Sequence, residues 1–211
     1  GSITRAHILH DHTKEGAENL ISLIGGKLTT HRQVGEEFVN LVFRKRKQSP
    51  PHCPTHKRPL PGAILLDDPK VEQLHARYGD RIAPPVLDHL LGIYGARTYD
   101  LLELVDEFPE LAQPIISGFK DIRAQIVFAV QSEMAYTFED ILRRRTTVCM
   151  HKDYGFNALP VVAAVLQKHC GWDEDRCDRS IQNYHRFMEA NCIPDYEIGQ
   201  QEASTPSLQT A

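Results

Sequence analysis

The residues best suited to chemistry lie in one run, SLIGGKLTTHR, from Ser22 to Arg32. A short apolar stretch ends in Gly25 and Gly26, Lys27 follows, and Leu28 with two threonines opens an amphipathic segment. Glycines let a backbone approach a ligand closely, and the first N–H groups of a helix point outward without intrahelical partners. An anion, typically phosphate, is stabilised at such a place by those groups and by the helix dipole. Lys27 adds a full positive charge, and Thr29 or Thr30 can cap the helix or donate a hydrogen bond. The same residues also suit an ordinary tight strand-to-helix turn with a solvated lysine. Spacing alone leaves both readings open.

The elements that must position this run can be read around it. Ile3 to His10 suits an extended segment, Asn19 to Ile24 is a second apolar run, and the polar DHTKEGAE between them reads as a turn. Together they predict a β-hairpin. If its turn is centred between Asp11 and Glu18, residue numbers across the ladder sum to about 29, as antiparallel pairing requires. Arg5 then faces the neighbourhood of Ile24, and Lys27 follows just past the second strand. Two cations and a helix N-terminus converging on one spot suit a visiting anion. The helix itself carries Val34, Phe38, Leu41 and Val42 on one stripe and ends in Arg44 to Lys47, cations at the negative end of its dipole.

Residues 48–62 hold five prolines, which excludes a helix or a central strand. They are expected to be a linker between a first domain, 1–47, and an all-α domain, 63–196, with a polar, disordered tail over 197–211. Within the second domain, periodicity predicts helices at about 69–78, 84–94, 97–107, 109–117, 121–135, 138–146, 156–170 and 173–191. Thr137 and Asp140 form a capping box, Asp173 caps the last helix, and Cys177 falls on that helix's apolar stripe. The fold expected is mainly α, with a hairpin and one helix in front.

Composition narrows the function classes. A chain of 211 residues can bury one core with a smaller unit appended, and a net charge of −4 gives no electrostatic case for a nucleic-acid partner. The longest apolar run, Ala158 to Leu166, is interrupted by Pro160 and too short to span a bilayer. Five cysteines without a CxxC pair argue for a reducing, cytoplasm-facing compartment. In HILHDH, strand alternation puts only His10 and His12 on one face, leaving out His7, and no metal is expected there. His52, Cys53 and His56 lack an evident fourth ligand for zinc. Arg143, Arg144 and Arg145 read as a helix C-terminal charge cluster or domain contact, or else as an anion clamp. Cys149 and Cys170 lack the His/Asp context of a nucleophile.

The run IGGKLTTHR, with Ile3-Thr4-Arg5 placing its arginine 22 residues before Lys27, resembles flavin-dependent glycerol-3-phosphate dehydrogenases. RPLPGA (58–63), EMAYTFEDILRRRT (133–146) and GWDED (171–175) resemble that family's C-terminal domain, in its own order. The resemblance implies oxidation of sn-glycerol 3-phosphate to dihydroxyacetone phosphate with FAD, and electrons passed on to quinone. It places Arg5 and Lys27 at the substrate and Gly25, Gly26, Leu28 and Thr29 against the flavin. His31 stands where the family usually has tyrosine, so a role for that ring does not carry over. No GxGxxG for a flavin pyrophosphate occurs here. The expectation is therefore a C-terminal piece, inactive alone and without most of the flavin site, partnered by an N-terminal FAD domain and peripheral at the inner face of the membrane. Alternatives are a piece of a glycerol-3-phosphate oxidase, which hands electrons to oxygen, or a self-standing helical interaction module.

Overall fold

The computed structural model describes residues 6–65 and 67–194. The chain is 61% helical with a single two-stranded sheet among the described residues, a mainly-α protein. It divides into two compact units, one through Pro61 and one from Gly62 onward. The proline-rich stretch up to Pro61 thus belongs with the first unit.

In the first unit, β1 (His7–Asp11) and β2 (Ile21–Gly25) pair antiparallel, with His7 opposite Gly25 and Asp11 opposite Ile21. Residue numbers across this ladder sum to 32, not the expected 29 or so. The reason lies in the connection. A 3₁₀ turn over His12–Glu15 ends at Gly16, whose φ of 85° is left-handed backbone that glycine adopts without strain. The reversal is thereby carried a residue or two toward the C-terminus. After a second short 3₁₀ turn, Leu28–Thr30, comes α1 (His31–Lys45). Among the described residues, none of the buried hydrophobics, which run from Leu74 to Ile193, falls in this unit, and the stripe from Val34 to Val42 is only half-buried.

The second unit holds the core. Its helices are α2 (Pro69–Tyr78), α3 (Pro84–Tyr94), α4 (Thr98–Glu107), α5 (Ala124–Glu133), α6 (Leu159–Cys170) and α7 (Glu174–Asn191). Proline opens α2 and α3, where a missing N–H costs nothing, and Asp68 caps α2 by accepting from the Lys70 amide at 2.9 Å. The first six residues of α5 are all buried, and it packs on α4 and α6 as the central helix. Asp173 caps α7 by accepting from the Arg176 amide at 2.7 Å, and Cys177 is buried in the core. Glycines lock the entry to this unit. The Gly62 carbonyl accepts from the Ala96 amide at 2.7 Å, and a Cβ on Gly95 would stand 1.9 Å from that same oxygen.

Three expected helices differ. Over 109–117 only a 3₁₀ turn, Pro109–Ala112, forms. Pro114 has no N–H and biases Gln113 away from helical backbone, so the chain turns extended and bridges back to Ile122. Helix α5 accordingly starts at Ala124 rather than near Asp121. Over 138–146 the capping box forms, with Asp140 N–H donating to Thr137 Oγ1 and Thr137 N–H to Asp140 Oδ2. The turn from Asp140 to Arg145 is then a wider π-helix. The Thr146 hydroxyl donates to the carbonyls of Ile141 and Leu142, five and four residues back, and ends it.

Candidate functional site

At the end of β2 the chain turns sharply through Gly25 (φ 69°) and Gly26 (φ 92°). A Cβ on Gly26 would press to 3.0 Å from the His7 Cβ, and one on Gly25 to 3.3 Å from the Ala6 carbonyl, so both positions need glycine on two counts. Lys27 follows in extended backbone, and its carbonyl accepts from both the amide (3.1 Å) and the hydroxyl (2.8 Å) of Thr30. Neither Thr29 nor Thr30 offers a side-chain oxygen as a cap; Thr30 instead ties the turn shut. His31 folds back the same way, its Nδ1 3.0 Å from the Leu28 carbonyl. Lys27 and Thr29 are exposed, and Lys27 has no ion-pair partner among the described residues. Arg5 lies outside the described residues. It stands two residues before His7, whose ladder partner Gly25 stands two before Lys27.

The hairpin presents two different faces. His7 Nε2 meets Glu37 of α1 at 2.7 Å, and Lys45 of α1 reaches Asp11 at 2.5 Å. By strand alternation Ile8 and Ile24 point the other way. They are 48% and 52% exposed, and Leu28 beside them is 91% exposed. An apolar face beside a glycine turn and a lysine suits one wall of a site for a flat, largely apolar ring and a phosphorylated substrate. The parts for such a wall are an exposed glycine backbone, one ammonium and apolar side chains.

The Asp11–Lys45 tie holds the hairpin to α1 and is not legible in the sequence, since its partners are 34 residues apart. Asp11 also accepts from the Thr13 hydroxyl and amide, and these bonds, led by Lys45, hold its carboxyl down at about 2. An unfolded aspartate titrates near ~3.9. Because the folded value is depressed, the tie stabilises the hairpin fully above about pH 4 and is lost as pH falls toward about 2. A nuclear magnetic resonance titration of the Thr13 amide is expected to show a midpoint near 2. A midpoint near 4, the free value, would show that the tie is absent.

Other expected candidates disperse. Arg145 pairs with Glu133 (3.1 Å), Arg144 with Asp140, and Arg143 lies over the Phe187 ring, so the three do not converge on an anion. Cys53 Sγ contacts Thr55, and His56 meets the Cys53 carbonyl instead of joining a ligand set. Burial pushes the thiols of Cys149 and Cys170 up, the latter to about 11, which disfavours the nucleophilic thiolate. Among the described residues one group does gather metal-type ligands: His10, His12 and Glu15. His7, turned toward α1, is not in it.

The model of the C-terminal domain of alpha-glycerophosphate oxidase matches residues 53–177. A glycerol-3-phosphate dehydrogenase of Synechocystis sp. is 53% identical over 93% of this chain and 35% of its own length. One from Mycobacterium leprae is 30% identical over 90% of this chain and 34% of its own, and a probable mitochondrial one from Dictyostelium discoideum is 27% identical over 89% and 28%. The chain therefore spans about a third of the length of the curated relatives it matches.

Proposed function

The chain belongs to the family of the C-terminal domain of alpha-glycerophosphate oxidase, and on that footing we propose that it is the C-terminal part of a flavoenzyme that oxidises sn-glycerol 3-phosphate to dihydroxyacetone phosphate. FAD, when bound, supplies the acceptor for the hydride released from the substrate carbon. Quinone takes the electrons onward, so the whole enzyme works at a membrane surface, in this reading peripherally at the inner, cytoplasmic face; no helix among the described residues is long and apolar enough to cross a membrane.

The observation that carries the reading is the exposed turn at Gly25 and Gly26, with Lys27 and the apolar residues Ile8, Ile24 and Leu28 beside it. In this role Lys27, joined by Arg5, binds the phosphate: an ammonium supplies a compact charge, a guanidinium a planar pair of donors. Gly25, Gly26, Leu28 and Thr29 line the flavin from the same end. Proton abstraction from the substrate hydroxyl falls to an N-terminal FAD domain, the partner that also covers the apolar hairpin face. The exposure of Ile8, Ile24 and Leu28 supports such a partner.

The chain alone is expected to be colourless and to reduce no dye with glycerol 3-phosphate. The longer polypeptide containing it is expected to show a flavin spectrum that glycerol 3-phosphate bleaches without oxygen. A flavin spectrum untouched by that substrate would overturn the assignment. The name of the matching family favours oxygen as a second candidate acceptor. Stoichiometric hydrogen peroxide during turnover would select it over quinone.

A further inference from the structure

We propose that His10, His12 and Glu15 bind a divalent transition-metal ion of the zinc class, at the connection end of the hairpin rather than at its Gly25–Gly26 end, and independently of the glycerol-3-phosphate assignment. Two imidazoles and one carboxylate are the donor set that zinc, cobalt and nickel accept, whereas magnesium and calcium call for oxygen ligands throughout. One ligand atom from each residue lies within 4.8 Å of the other two. The Glu15 carboxylate bridges the pair: Oε1 is 2.7 Å from His10 Nε2, and Oε2 is 2.5 Å from His12 Nδ1. Metal bonds of about 2.0–2.1 Å put tetrahedral donors about 3.3 Å apart. Admitting the ion between Glu15 and either histidine therefore needs these partly exposed side chains to open by less than ~1 Å.

The backbone beneath the cluster is held at both ends. His12 and Glu15 bracket the 3₁₀ turn, in which residues three apart stand above one another. Asp11 caps the start of that turn and is itself anchored by Lys45. Gly16 closes the end. His10 comes from β1, on the face opposite His7 and Asp11. His12 Nε2 lies 2.9 Å from Ser22 Oγ across the ladder. A proton on Nε2 donated there frees Nδ1 from its 2.5 Å hydrogen bond to Glu15, so that its lone pair can ligate the ion. The three donors leave one tetrahedral position to water, and the bound ion clips the hairpin connection to its first strand.

The test uses the tag-free, chelator-treated 211-residue chain, titrated with zinc chloride by calorimetry and with cobalt chloride by visible absorption. One ion per chain is expected, with a cobalt spectrum of nitrogen and oxygen ligation. His12→Ala and Glu15→Gln are each expected to weaken binding by about 10-fold or more, and Ser22→Ala, an outer contact, by about 10-fold. The double change Cys53→Ser with His56→Gln, in the proline-rich stretch, should leave the affinity unchanged. Circular dichroism of each variant, and His10→Ala as an alternative ligand removal, separates a lost ligand from a lost fold. No binding by the native chain, binding that survives both His12→Ala and Glu15→Gln, or a thiolate signature removed by Cys53→Ser would each overturn the proposal.

Discussion

Asp121→Ala is expected to destabilise the helical unit by about 3–5 kcal/mol, the size of breaking a buried, hydrogen-bonded charge. For a unit of this size that is a fall in Tm of about 6–20 °C. Asp121 is 1% exposed, and its carboxylate accepts from four donors. These are His89 Nε2 at 2.9 Å, Gln125 Nε2 at 3.0 Å, and the amide and hydroxyl of Thr147 at 2.9 and 2.5 Å. The arrangement joins α3, the start of α5 and the segment after the π-helical turn, so truncation leaves partners from three elements without an acceptor. Cavity cost adds little for so short a side chain; the orphaned donors dominate. Glu103→Ala, on the exposed side of α4, should stay within about 0.5 kcal/mol. A thermal melt of Asp121→Ala indistinguishable from that of Glu103→Ala would remove Asp121 from its place as a hub.

What was legible beforehand follows from the range of the interaction responsible. Asp173 and the Thr137–Asp140 pair mark helix starts through contacts three residues long, and both form. The stretch from Gln113 to Arg123 misled because its apolar residues suit a helix while Pro114 does not. What decides it is Gln113 C=O accepting from Arg123 N–H and Asp121 C=O accepting from Ile115 N–H, and no periodicity reports such a bridge. Asp121 itself resembled a helix-start acid, since its donors come from His89, 32 residues before, and Thr147, 26 after.

The candidate site divides in the same manner. Gly25 and Gly26 were legible because a double glycine after an apolar run has few other uses, and both adopt positive φ. Ladder register was not, because it depends on how many residues the connection consumes, and the 3₁₀ turn with Gly16 sets that. Strand alternation pairs His10 with His12 but does not reach Glu15, because His12 lies beyond β1 on the 3₁₀ turn. The spacing H-x-H-x-x-E, read as a strand end followed by a three-residue turn, would have found the cluster.

In the longer enzyme that carries this segment, Lys27→Ala is expected to raise KM for glycerol 3-phosphate on the order of 100-fold, the scale of losing one charge-assisted contact to a desolvated phosphate. The size of the effect depends on what covers the turn. In this chain Lys27 is exposed, and an ammonium in water contributes little. Covered by a flavin domain, the same ammonium faces the substrate phosphate at a lower effective dielectric, where its attraction strengthens. The substitution costs the chain itself almost nothing, because Lys27 pairs with no described acid and only its backbone carbonyl holds the turn. A KM effect is therefore separable from misfolding. Lys27→Arg keeps the charge and should recover part of the loss. Lys14→Ala, in the turn at the far end of the hairpin, should leave KM unchanged. The decisive comparison uses glycerol, which lacks the phosphate. If Lys27 binds that group, the mutant loses preference for glycerol 3-phosphate while its weak reaction with glycerol stays the same. Equal losses toward both substrates, or unchanged kinetics toward both, would take Lys27 out of the phosphate site and leave the glycine turn as no more than a bend into α1.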